Sequence, residues 1–184
     1  RLVSSMVKTE SHSYLYKHPW EFVTTSIWHK YDDNKYIREV DVIDRHVDEQ
    51  GRLHTRRLLT ATGQLPGMLR HVMRTKQLSC LETTVVDPKT GLMTVETRNM
   101  SFTHLFSAHG TSEYRRSEEN PSWTNYHMNM QVTAFPRLIA GKIEEIMAPR
   151  LAGNSKIGQE AVNRFCEKLR EKFGKKLYPP VSAS

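Results

Sequence analysis

Cysteine is scarce in this chain of 184 residues: there are two, Cys80 and Cys166, far apart and without CxxC spacing. That pattern excludes a disulfide framework and a zinc ribbon, and the expectation is two reduced, buried thiols. Long apolar runs are missing as well. No stretch approaches the ~20 residues that a membrane-crossing helix needs. The sequence holds no GxGxxG or Walker glycine loop, no GxSxG and no HExxH. The familiar nucleotide-binding, serine-hydrolase and zinc-protease chemistries therefore have no signature here. The nine histidines are scattered, none pairs with another at metal-ligand spacing, and no acid/base couple stands out. No metal or cofactor is expected, and the chain does not read as an enzyme.

Positive charge is what the sequence has in surplus. Lysine and arginine number 27 against 20 acidic residues, for a net charge of +7. Such a balance favours anionic partners: nucleic acid, acidic lipid or an acidic protein. The hydrophobic fraction of 38% and the length suit one globular domain with a core of its own.

The patterning divides the chain into strands and two helices. HSYLY (12–16) alternates as a first strand, and residues 1–10 read as an N-terminal extension. HPWEFVTTSIWHKY (18–31) spaces Trp20, Val23, Ile27 and Lys30 as a helix does, with Pro19 well placed at its start. Residues 38–47 and 53–62 form two strands around the turn DEQG (48–51). Residues 77–88, 92–102, 107–116 and 123–134 follow as strands joined by polar turns. In the last of these, Tyr126, Met128, Met130 and Val132 share one face. From Leu138 to about Lys176 the spacing is helical, and Pro149, Gly153 and Gly158 are expected to loosen its middle. Residues 177–184 form a tail. The fold class is α+β: a curved antiparallel sheet of about seven strands closing over one long C-terminal helix. A short N-terminal helix and a lid loop complete it, around a cavity for an apolar ligand.

Three places carry the functional signal. Residues 63–69 (Gly63, Gln64, Leu65, Pro66, Gly67, Met68, Leu69) set apolar side chains between glycines and a proline, as a lid or membrane-touching tip does. The segment 137–176 holds ten basic residues against five glutamates. Arg150 and Lys156 sit beside Asn154 in its glycine-containing part. In LHTRRLL (53–59), alternation turns Arg57 toward the core with Leu53 and Leu59, and Arg56 toward solvent. A buried guanidinium needs an anion. Either that face is solvated, or something anionic meets it, and no acidic residue of the chain is assigned to that place. Two other readings stand beside this one. A basic nucleic-acid-binding domain requires aromatics interleaved with Lys and Arg on an exposed sheet face, and few are present. An enzyme on a similar helix-grip cavity fold requires an acid/base pair.

HPWE (18–21), VDVIDRHVDEQGRLHTRRLL (40–59), VVDP (85–88), TRNMSF (97–102) and the terminal helix together resemble the PRELI/slowmo family, over about residues 11–173. The resemblance implies a phospholipid-transfer protein of the mitochondrial intermembrane space. Such a protein encloses one phosphatidic acid or phosphatidylserine molecule and moves it between the outer and inner membranes. It implies a small helical twin-Cx9C protein as heterodimer partner, transient docking on anionic membrane surfaces, and no nucleic acid. Position by position, it implies headgroup contacts from Lys30, Arg57, Arg150 and Asn154, with Lys156 as a further candidate, and a lid at 63–69. The acyl chains would line Tyr126, Met128, Met130, Val132, Ile139, Ile143 and Ile146. Two departures accompany it: KYDDN (30–34) stands where the family usually has KYPNP, and Ile157 where many members have lysine. On this reading Arg57→Glu abolishes headgroup extraction and leaves the fold intact.

Overall fold

Polar turns of a few residues join most consecutive strands, and neighbours in sequence become neighbours in the sheet. The computed structural model describes residues 6–62, 77–135 and 155–173. Seven strands are present: β1 (Met6–Tyr16), β2 (Ile37–Val47), β3 (Leu53–Thr62), β4 (Gln77–Asp87), β5 (Leu92–Asn99), β6 (Phe106–Arg116) and β7 (Thr124–Ala134). Helix α1 spans Trp20–His29, and α2 covers residues 155–173. The sheet is antiparallel, open and curved, in the order β1-β7-β6-β5-β4-β3-β2. The expected fold class holds.

The β2–β3 turn shows how the sequence sets a register. Asp48 Oδ1 accepts from the backbone N–H groups of Gln50 (3.0 Å) and Arg52 (2.9 Å), and Gly51 takes a φ of +82°. Only glycine adopts that conformation without steric cost. The Asp48 carboxylate also receives Arg52 Nε and His54 Nε2, each at 2.7 Å, which pins the first residues of β3. Pairing then places Thr55, Arg57 and Leu59 on the buried side and leaves Arg56 exposed, as alternation requires.

β1 is longer than its alternation suggests. It starts at Met6 and pairs β7 residue for residue, from Met6 opposite Ala134 to Tyr16 opposite Thr124. Residues 6–10 thus belong to the sheet. The polar run KTES gives no period-two signal, because an edge strand is half solvated on both faces.

Helix α1 crosses the sheet from β6 to β3, on the chain's way from edge strand β1 to edge strand β2. Trp20 Nε1 donates to the Tyr114 carbonyl of β6 at 3.0 Å, while the Trp28 carbonyl receives Arg57 Nη1 of β3 at 3.4 Å. Eight residues of helix rise about 12 Å. Three strand spacings amount to about 14 Å. The helix is therefore as long as the stretch of sheet it crosses. Its start is apolar: Trp20, Phe22, Val23 and Ile27 join Tyr16, Met93, Val95, Tyr114 and Tyr126 in the core.

α2 closes that core with Val162 and Cys166, and Leu169 packs against it. The buried stripe lies one residue from the spacing Ala161, Phe165, Leu169, Phe173. Val162 and Cys166 are buried, Ala161 and Phe165 half-buried, and Phe173 exposed. Phe165 instead stacks on His29, with ring centroids 4.3 Å apart. Both cysteines are free thiols; Cys166 is buried and Cys80 half-buried. Burial pushes the Cys166 thiol up to about 11, so it stays protonated. Its sulfur lies 3.2 Å from Ser26 Oγ, which ties α2 to α1.

The helix continues through Gly158 without interruption, while Pro149 and Gly153 lie outside the described residues. A Cβ added at Gly158 would meet nothing within 4 Å. Glycine in a helix is less stable than alanine by about 0.5–1 kcal/mol. Gly158→Ala should therefore raise the unfolding free energy by about that much in urea titrations. A loss of stability would show that this position needs its empty space.

Candidate functional site

The far end of α1 is polar, and it meets the concave face of the sheet. Antiparallel pairing sets Glu82 of β4 directly opposite Arg57 of β3, both on the inward side. Glu82 is fully buried and the Arg57 side chain is 4% exposed. Glu82 Oε1 accepts from Arg57 Nε at 3.0 Å and from Arg57 Nη2 in a short contact. Oε2 accepts from Lys30 Nζ at 3.0 Å and from the Tyr31 hydroxyl at 2.9 Å. A carboxylate has about four lone-pair sites, and all are used here.

This corrects the expectation that the anion facing Arg57 is absent from the chain. The anion is Glu82. The guanidinium also lies 4.9 Å from the centroid of the Trp28 ring and 5.7 Å from that of Tyr31, so its faces are covered as well as its edge. Arg57→Glu would set two carboxylates against each other in a buried site, and the fold would not be spared.

Burial alone would raise the Glu82 carboxyl. Lys30 and then Arg57, by charge and by hydrogen bonds, more than reverse this and hold it at about 2, below its ordinary 4.5. Tyr31 shifts the other way: burial and the neighbouring carboxylate keep its phenol protonated. Two cations and one carboxylate give the cluster a net charge of +1.

The two cations differ in what they have left to offer. Arg57 has committed Nε and Nη2 to Glu82 and Nη1 to a carbonyl. Lys30 sits at the C-terminal cap of α1 with its side chain 14% exposed, and gives one of its three donors to Glu82. Lys30 is thus the cluster's outward-facing charge, and Arg57 is its fixed backing.

The structure brings Lys30 and Arg57 together. Lys156 is exposed in the first turn of α2, and Ile157 beside it is 45% exposed. Tyr126, Met128, Met130 and Val132 do share the inward face of β7. Tyr126 is part of the core under α2, whereas Met128 and Met130 are half-buried, with Met130 lying over Gly110. Arg150, Asn154, Ile139, Ile143, Ile146 and residues 63–69 lie outside the described residues.

Glu82 and Tyr31 are the residues that the sequence reading missed. A signal for Glu82 was present. In LSCLETTVV the alternation groups Glu82 with Cys80, Thr84 and Val86, an inward set, just as it groups Arg57 with Thr55 and Leu59. Two charges at inward positions of neighbouring strands point to each other.

An open antiparallel sheet crossed by one helix and closed by another is a fold of the helix-grip-like class. The chain shares this fold with several solved structures. The aromatase/cyclase Zhui from Streptomyces superposes with a TM-score of 0.61 at 13% identity, over 89% of this chain and 96% of that one. Norcoclaurine synthase from Thalictrum flavum gives 0.60 at 14% identity, over 92% and 99%.

Within that class the chain belongs to the PRELI-like family, whose model matches residues 21–172. The slowmo homolog of Dictyostelium discoideum is 25% identical over 91% of this chain and 75% of its own length. UPS2 of Saccharomyces cerevisiae, named as mitochondrial, is 26% identical over 92% and 76%. PRELI domain-containing protein 1 of Gallus gallus, also named as mitochondrial, is 27% identical over 75% and 66%.

Two outcomes follow from the cluster. A carboxyl held below its unfolded value contributes stability that is complete above pH 4.5 and is lost as pH falls toward 2. Acid titration of stability should show this loss, and Glu82→Gln should flatten it; an unchanged profile would mean that Glu82 is not charged in the fold. Arg57→Met leaves the buried carboxylate with a weaker set of donors and should cost about 3–5 kcal/mol in denaturant unfolding. A loss under about 1 kcal/mol would contradict the buried pair.

Proposed function

We propose that this chain is a phospholipid carrier. It extracts one anionic phospholipid, phosphatidic acid or phosphatidylserine, and moves it between the outer and inner mitochondrial membranes across the intermembrane space. The observation that carries this reading is Lys30: a cation on the concave face with donors to spare, backed by a guanidinium that cannot move away. Membership of the PRELI-like family and the mitochondrial names of two relatives support it.

The chemistry is binding, with no bond made or broken. A phosphate monoester or diester offers oxygens to Lys30, and each charge-assisted bond contributes about 1.5–3 kcal/mol. Arg57 adds positive potential from behind without leaving Glu82. Arg150 and Asn154 complete the headgroup contacts on this reading, with Lys156 as a further candidate at the surface. The half-buried Met128 and Met130 give adaptable apolar surface to acyl chains. Residues 63–69 act as the lid. The net charge of +7 favours docking on anionic bilayers, and a small helical twin-Cx9C protein is the heterodimer partner.

Lys30→Gln tests the site with little risk to the fold, since Arg57 keeps Glu82 paired. Extraction of phosphatidic acid from phosphatidylcholine vesicles should fall about tenfold or more, as expected for one lost charge-assisted bond. Full extraction by the folded variant would place the headgroup elsewhere.

A further inference from the structure

A buried carboxylate at the centre of a site read as anion-binding calls for an explanation. Glu82 cancels half of the positive charge that Lys30 and Arg57 bring, and it occupies a donor that a phosphate would use. Were the site built only to hold an anion, an uncharged residue opposite Arg57 would hold it more tightly.

We infer that Glu82 is an internal competitor for Lys30: it holds the ammonium while the site is empty and takes it back as the headgroup leaves. The inference rests on the reading of Lys30 as a headgroup contact. Three features carry it. Lys30 is joined to Glu82 by a single contact at 3.0 Å, and its four-carbon stem begins at a helix end. Arg57 grips Oε1 with two N–H groups, so the carboxylate cannot follow the ammonium out. Tyr31 donates to the same oxygen as Lys30, at 2.9 Å. When Lys30 swings to a phosphate, Glu82 therefore keeps three of its four donors, and no acceptor is left bare in the interior.

The consequence is a site that exchanges partners. Lys30 moves from carboxylate to phosphate and back, so the free energy of headgroup capture is a difference between two ion pairs. That difference is smaller than the full strength of either, which weakens retention and quickens release.

Glu82→Gln in the full chain tests this directly. Its readouts are binding to phosphatidylcholine vesicles doped with fluorescent phosphatidic acid, and the rate at which loaded protein gives that lipid to acceptor vesicles. The expected result is tighter binding with release about tenfold slower. A purely structural role for Glu82 would instead lower binding and retention together, and that outcome overturns the inference. The double variant Arg57→Gln/Glu82→Gln restores the net charge of the cluster and still lacks the competitor; it too should release slowly. Release at the rate of the unsubstituted protein from either folded variant overturns the inference. If Lys30→Gln leaves binding unchanged, the headgroup reading itself fails. If Lys30→Gln weakens binding while Glu82→Gln leaves release unchanged, only the competitor role fails.

Two measurements on the unsubstituted protein complete the test. Loading with phosphatidic acid should shift the carbon NMR resonance of the Glu82 carboxylate as Lys30 leaves it; an unmoved resonance overturns the exchange. Water-soluble glycerol phosphate should be held far more weakly than the lipid, and equal retention would identify a free phosphoester as the ligand.

Discussion

One carboxylate taken out of water organises the concave face of this protein. Removing Glu82 from solvent costs several kcal/mol, and the fold offsets this with donors from two segments. Arg57 comes from β3, Lys30 and Tyr31 from the end of α1, and the carboxylate itself from β4. The polar end of α1 is thereby fixed against two strands by charge, where its other end is fixed by apolar packing. Buried ion pairs are often no more stabilising than apolar residues of similar size. The value of this one lies in where it places positive charge.

α1 divides the labour along its length. At the Trp20 end, burial of large side chains with Tyr16, Tyr114, Val162 and Cys166 supplies most of the stabilisation. At the Lys30 end, polar groups gather around Glu82, with the rings of Trp28 and Tyr31 against Arg57. The second arginine on Trp28, Arg45, extends the same pattern: its guanidinium lies 4.9 Å from the ring centroid, and its Nε reaches Thr55 Oγ1 at 3.2 Å. The apolar and the charged parts of the interior thus meet along one ten-residue helix.

Much of this was legible in the sequence, and the failures have physical causes. Alternation assigned the faces of β3 and β7 correctly, and DEQG fixed the hairpin between β2 and β3, because local sterics decide both. Arg57 was correctly read as buried. Its partner was not found, since Glu82 lies 25 positions on in sequence and only the β3–β4 register brings the two together. Register across a long connection is set by the packed sheet, which no local pattern records. The beginning of β1 failed for a related reason: an edge strand needs no hydrophobic face, so pairing with β7 alone defines it. On α2, the spacing of Ala161, Phe165, Leu169 and Phe173 marks a stripe one residue away from the buried Val162 and Cys166, because Phe165 is held at the rim by stacking on His29.

The sequence and the geometry together bear on how a carrier of the proposed kind can choose its cargo. Acyl chains leave one apolar medium for another when they pass from a bilayer into a protein, so their burial contributes little net free energy to capture. The ~0.8 kcal/mol per methylene that holds a chain out of water is present on both sides of the exchange. Selectivity must then come from the headgroup, which trades hydration for a partly buried site. A cluster of net charge +1 attracts a phosphate, and does so less strongly than a cluster of +2 would. Arg57 and Lys30 without Glu82 would carry +2 and hold the anion more strongly through the low-dielectric interior. On the proposed reading, the carboxylate set beside two cations lowers the charge that a headgroup meets there, and so favours release as well as capture.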